Sequence, residues 1–480
     1  MSVFSDLAFE ASVVARSLAD YLSGGGLRLG VTGLSRAGKT VFITALVDNL
    51  VGGARLPVLR AAAEGRIVRA HLEPQPDDAV PRFTYEDHLA SLEGADRHWP
   101  QSTRRISQLR LTIEFESAAG WGSKSRTLAL DIVDYPGEWL LDLPLLEKSY
   151  AQWSRETIEA SRTPARAPLA SDWRTFLADL DPAAPAREEV ARTAAELFTA
   201  YLRKARDDVY ALSTLPPGRF LMPGDLEGSP ALTFAPLPVG EEERIAAGSL
   251  AAMMARRYEA YKTHVARPFF RDHFSRLDRQ IVLVDALTAL NSGPAALRDL
   301  ENALTGVMQA FRAGRSSRLA TIVRPRIDRI LFAATKADHL HHTSHDRLEA
   351  ILRAITAKAI DRAEGVGADI DVIALAAIRA TREAEIRHGR ETLQAIVGVP
   401  QAGERLDGQV FDGVAEAAVF PGELPENPAA ALDGEAIGLA EADNDWRFLR
   451  FRPPLRQAGA PAPHIRLDRA LQFLIGDRLA

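Results

Sequence analysis

Gly33-Leu34-Ser35-Arg36-Ala37-Gly38-Lys39-Thr40 has the spacing G-x-x-x-x-G-K-[ST], and its reading decides the fold. A loop of this pattern turns successive backbone N–H groups inward around phosphate oxygens, with glycine where a side chain would collide with them. Gly33, Ser35, Arg36, Ala37 and Gly38 then line the anion, Lys39 reaches the β/γ-phosphates, and the Thr40 hydroxyl suits Mg²⁺. The pattern needs a strand running in and a helix running out. Both are legible: Leu27–Thr32 alternates after the turn Gly24-Gly25-Gly26, and Phe42, Leu46 and Leu50 recur at helical spacing. The positive end of that helix faces the phosphates.

Two further motifs follow in the required order. Thr127–Val133 reads as a buried strand and ends at Asp134-Tyr135-Pro136-Gly137. An aspartate at the carboxyl end of such a strand lies where open α/β sheets bind ligands and can hold Mg²⁺ through water, while Gly137 can offer its N–H to a γ-phosphate. After the apolar strand Ile330–Ala334 comes Thr335-Lys336-Ala337-Asp338, which resembles the [NT]-K-x-D element that reads guanine in GTPases. Its carboxylate accepts from guanine N1 and the exocyclic amine. Adenine lacks that pair of donors and would leave the carboxylate unpaired, so GTP is favoured over ATP.

Composition narrows the class. The 480 residues carry 58 basic and 64 acidic side chains, a net charge of −6, which gives no footprint for nucleic acid. The absence of cysteine excludes disulfides, cysteine-ligated zinc and thiol catalysis, and agrees with a reducing compartment. No apolar run approaches the ~20 residues needed to span a bilayer. Residues 3–22 read as an amphipathic helix, interrupted by Asp6 and Glu10 in a manner foreign to a signal peptide.

The expected architecture is an α/β fold, a P-loop NTPase with a mostly parallel six-stranded sheet, an inserted helical domain and a C-terminal extension. Residues 1–24 form the N-terminal helix, 25–140 the first part of the core, 141–275 the helical insertion, 276–400 the second part of the core, and 401–480 the extension. Leu109–Phe115 supplies the second strand, so Ser102 or Thr103 stands in a switch loop with a hydroxyl for Mg²⁺. Arg104 or Arg105 beside them can neutralise charge on the transferring phosphoryl group. The segment Asp371–Leu375 gives the sixth strand.

Taken together these tracts resemble the YcjX-like P-loop GTPases, bacterial stress-associated proteins. The resemblance runs nearly end to end, through Trp99-Pro100, Asp134–Leu140, the Pro-Gly-rich stretch Phe220–Pro230, Val284-Asp285 and Ala334–His341. It implies a Ras-like core with a helical insertion, slow GTP hydrolysis and a cytoplasmic location. It also implies GTP and GDP as substrate and product, and a peripheral membrane or envelope-stress protein as partner. Ala376, Ala377 and Ile378 stand where GTPases touch the base with a Ser-Ala-x loop, and Ala376 leaves only backbone contact. Glu138 stands where many GTPases place the glutamine that orients the attacking water; its charge repels phosphate oxygens, so slow turnover is expected.

Two clusters remain. His339, His341, His342 and His345 are candidate zinc or nickel ligands, but their irregular spacing favours hydrogen bonding and capping. Arg312, Arg315, Arg318, Arg324, Arg326 and Arg329 form a basic patch that reads as a solvated or internally paired face.

Overall fold

A strand covered on both faces carries apolar residues without strict alternation. That pattern sets the centre of the sheet here, where all six residues of β5 (Arg279–Val284) are buried. The computed structural model describes residues 26–480 except 35–36, 76, 102, 104, 119–124, 208, 241–244, 311–326, 366, 389–390, 407, 429–431, 433–445, 447 and 458. The helix read over residues 3–22 and every arginine of the basic patch but Arg329 lie outside the described residues.

The main sheet has seven strands, one more than the six read from sequence. They are β1 (Gly26–Gly33), β2 (Ile67–Glu73), β3 (Ser107–Glu116), β4 (Ser125–Asp134), β5, β6 (Arg329–Ala334) and β7 (Asp369–Ala374), in the order β2-β3-β4-β1-β5-β6-β7. The pairs from β4 to β7 are parallel, whereas β2-β3 and β3-β4 are antiparallel. β2 escaped the sequence reading because it is an edge strand with only Ala70 buried. A register shift between Ile67 and Arg69 also breaks the two-residue period that would have revealed it.

The register sets the carboxyl ends of the parallel strands side by side: Val31 pairs with Asp134, Gly33 with Leu283, Val284 with Ala334, and Ala334 with Ala374. Open α/β sheets bind their ligands along such an edge. Helix α1 (Lys39–Val51) leaves β1 there, and Phe42, Ile43, Leu46 and Leu50 pack into the apolar core under the sheet. The C-terminal helix α8 (Leu467–Ile475) joins the same core through Leu467, Leu471 and Leu474. A separate three-stranded antiparallel sheet is built from Arg382–His388, Glu391–Gly398 and Ala417–Val419.

The chain divides into two compact units. One comprises the described residues within Met1–Tyr135, Leu277–Leu287 and Gly314–Ala480, and contains the seven-stranded sheet. The other lies within Pro136–Arg276 and Thr288–Ala313 and is helical, with α2 (Tyr150–Ala160), α3 (Ser171–Ala178), α4 (Glu188–Arg206), α5 (Leu250–Tyr261) and α6 (Pro294–Ala310). Its core is aromatic: Trp153 stacks on Tyr258 at 5.0 Å and Trp173 on Tyr201 at 5.6 Å, with Phe198 and Phe234 edge-on to Trp153. In the sheet unit, α7 (His345–Glu364) buries Leu348, Ile351 and Ile355. No helix among the described residues is long and apolar enough to cross a membrane.

Candidate functional site

The two glycines of the phosphate-type loop answer different constraints. Gly38 caps α1 at φ 82°, a left-handed conformation that favours glycine, and the space where its Cβ would stand is open. Gly33 is tight instead, since a Cβ there would lie 2.6 Å from the Leu283 carbonyl oxygen and 2.9 Å from Ala37 Cβ. Lys39 is nearly buried, and its Nζ donates to the Gly33 carbonyl at 2.9 Å, folding the ammonium back across the loop. Ala37 is buried, while Ser35 and Arg36 lie outside the described residues.

Three residues far apart in sequence meet beside Lys39. Thr40 Oγ1 lies 3.2 Å from Thr103 Oγ1, which donates to Asp134 Oδ2 at 2.7 Å. The other oxygen, Asp134 Oδ1, is buried without a hydrogen-bond partner. Burial pushes the Asp134 carboxyl up to about 6, opposed by the Lys39 charge and the Thr103 hydroxyl. A buried carboxylate with one idle oxygen beside two hydroxyls is a donor set that fits a hard cation keeping several waters, as Mg²⁺ does. Arg105 is exposed nearby; Ser102 and Arg104 lie outside the described residues.

At the carboxyl end of β6, Thr335 is tied to the neighbouring strand by its N–H, which donates to the Val284 carbonyl at 2.9 Å. Lys336 has φ 62°, and its Nζ donates to Asp285 Oδ2 at 2.5 Å. Asp338 is buried: its Oδ2 accepts from the Ala380 N–H at 2.8 Å, and its carbonyl accepts from the Thr381 hydroxyl. Ala376, buried after β7, bridges to Ile465, and Ala377 and Ile378 pack against the sheet core. Ala380 and Thr381 were not singled out in the sequence, and Asp285 only as part of the family-like tract Val284-Asp285, with no role. An aspartate directly after the buried β5 was the one available signal.

Gly137 and Glu138 open a 3₁₀ segment, Gly137–Glu147, that belongs to the helical unit. Glu138 is buried and lies 3.5 Å from the Arg206 guanidinium of α4. Around it the Trp139 indole N–H donates to the Met222 carbonyl at 2.9 Å, and Arg219 stands 3.1 Å over the Trp139 ring. Asp142 accepts from Tyr261 at 2.6 Å and from the Gly218 N–H at 2.7 Å. Burial raises its carboxyl to about 6.

Residues 27–479 match the model of the YcjX-like family, DUF463. The chain belongs to the YcjX-like family. Among curated family members, it is 41% identical over 465 residues to the "Ras-like GTPase YcjX" of Escherichia coli (strain K12), covering 94% of this chain and 96% of that protein. It is 36% identical over 483 residues to the "Ras-like GTPase YcjX" of Shewanella oneidensis, covering 94% of each. The seven-stranded, mostly parallel α/β sheet is the architecture expected of a Ras-like relative.

Proposed function

We propose that this protein is a cytoplasmic GTPase of the stress-associated kind, binding GTP with Mg²⁺, hydrolysing it slowly and switching state on hydrolysis. The chain of contacts from Thr40 through Thr103 to Asp134 Oδ2, with Asp134 Oδ1 buried and unpartnered, carries this reading, and the names of the two relatives support it. Backbone N–H groups of the loop from Gly33 to Gly38 cradle the phosphates, and Lys39 exchanges the Gly33 carbonyl for a phosphate oxygen. Thr40 and Thr103 hydroxyls and the Asp134 carboxylate hold the cation, directly or through water. When bound, Mg²⁺ neutralises charge on the β- and γ-oxygens.

Thr335, Lys336 and Asp338 select guanine, with Ala376, Ala377 and Ile378 contributing backbone to the base pocket. For Asp338 to read the purine, its carboxylate must share or give up the Ala380 N–H it now accepts. Arg104 and Arg105 are assigned charge neutralisation. Gly137 and Glu138 enter from their order in the sequence, directly after Asp134, with Glu138 assigned to the attacking water. A peripheral membrane or envelope-stress protein is the partner class this reading carries.

The engagement of Glu138 by Arg206 favours a second reading, a nucleotide-stabilised scaffold with negligible turnover. Single-turnover phosphate release with Mg²⁺ separates the two. The GTPase releases phosphate above the Lys39→Ala control, and the scaffold does not. ATP competing equally with labelled GTP would overturn the guanine assignment.

A further inference from the structure

His341, His342 and Glu383 carry chemistry that nucleotide binding leaves unused. They come from two segments, the turn after Asp338 and the strand Arg382–His388. Glu383 Oε2 lies 2.9 Å from His342 Nδ1 and 4.0 Å from His341 Nε2, and one donor atom from each residue falls within 4.8 Å of the others. Donors placed tetrahedrally about 2.0–2.1 Å from a zinc ion stand about 3.3 Å apart, and the two measured separations bracket that value.

The rings are also oriented for ligation. His341 Nδ1 accepts from the Thr343 backbone N–H at 3.5 Å and lies 3.0 Å from Thr343 Oγ1. These contacts fix the ring with its other nitrogen, Nε2, 4.0 Å from Glu383 Oε2. Arg379 lies 3.6 Å from Glu383 Oε1, the other carboxylate oxygen, leaving Oε2 to the imidazoles. His341 is buried and its side chain 10% exposed, whereas that of His342 is 63% exposed, so solvent reaches one side.

The geometry points to a binding site for one zinc-class divalent cation, held by His341, His342 and Glu383 with water completing a tetrahedron. Two imidazoles and a carboxylate suit Zn²⁺, whereas Mg²⁺ prefers an octahedron of oxygens. Binding displaces the proton shared by His342 and Glu383. It also ties together the two segments that Asp338 already joins through Ala380 and Thr381. From sequence these histidines read as capping and hydrogen-bonding groups; His341 caps the turn through Nδ1, which accepts from the Thr343 N–H, and His345 Nε2 donates to the Ala337 carbonyl at 2.9 Å. Glu383, more than forty residues on, supplies what local spacing could not.

The test is titration of the full chain, free of any affinity tag, with Zn²⁺ by calorimetry and with Co²⁺ as an optical probe, alongside His342→Ala and Glu383→Gln. The wild type is expected to bind one equivalent, to show visible absorption of tetrahedral Co²⁺, and to be indifferent to excess Mg²⁺. Each variant is expected to weaken binding at least about tenfold. Unchanged affinity in His342→Ala, whose exposed side chain leaves the core untouched, overturns the site, as does a wild type that binds no zinc. Metal-free unfolding of both variants confirms that they are folded, and His342→Ala decides if Glu383→Gln is not.

Discussion

Asp134 is a carboxylate whose burial raises its proton affinity. Its ordinary value of 3.8 rises to about 6 on burial, so the folded chain holds more protons than the unfolded chain between those pH values. Its contribution to stability is therefore fully present below about pH 4, falls as pH rises, and is lost above about pH 6. Asp134→Asn removes this titration while keeping an oxygen for the Thr103 hydroxyl. The metal-free variant is expected to be more stable than wild type at pH 7 by about 1–3 kcal/mol, the size of a shift of that order. The gain should vanish near pH 4 in urea unfolding. Mg²⁺-dependent stabilisation with GDP should disappear with it, and a variant that loses stability but keeps the Mg²⁺ response would make Asp134 merely structural. Lys39→Ala is expected to weaken GTP binding by roughly 30–150-fold, the scale of about 2–3 kcal/mol for a hydrogen bond to a charged group, read by nucleotide titration.

Elements explain which parts were legible in advance. The octapeptide announced strand, turn and helix because its glycines, lysine and flanking apolar residues are all local, Asp134 was findable as the polar residue ending a buried strand, and Asp338 through the four-residue pattern that follows another. β2 was hidden because an exposed, bulged edge strand has no apolar alternation to read. The pairing of Glu138 with Arg206, 68 residues away, and of Lys336 with Asp285, 51 away, depends on tertiary folding that no spacing rule encodes. The segment Gly137–Glu147 shows the same dependence. Its eleven residues exceed the usual length of a 3₁₀ run, and contacts from Arg206, Met222, Tyr261 and Gly218 hold it. A Cβ at Gly218 would stand 1.7 Å from the Glu138 carbonyl oxygen, so Gly218→Ala must displace backbone. We expect it to destabilise the helical unit by about 1–3 kcal/mol or more, read by hydrogen exchange across Glu188–Arg206. Arg206→Ala frees the Glu138 carboxylate and is expected to change single-turnover GTP hydrolysis several-fold; an unchanged rate would remove Glu138 from the chemistry.

At the scale of the whole molecule, one of the four points where the chain passes between the units falls between Tyr135 and Pro136, just after the carboxylate assigned to the cation. At this crossing a single peptide bond joins Tyr135, which follows β4 in the sheet unit, to Pro136-Gly137, which lead into the segment held by helical-unit side chains. The switch proposed above starts in the sheet unit, where a γ-phosphate would order Thr103 and its loss would release it. Such a switch requires differential binding, because a ligand shifts an equilibrium only by as much as its affinity differs between the two states. The expectation is that residues 95–160 exchange amide hydrogens more slowly with a non-hydrolysable GTP analogue than with GDP. The difference should extend into α4, whose Arg206 holds Glu138. Arg206→Ala should confine it to the residues before Pro136. Identical protection of 95–160 in the two nucleotide states would sever the proposed coupling while leaving nucleotide binding intact, since Lys39, Thr40 and Asp134 all belong to the sheet unit.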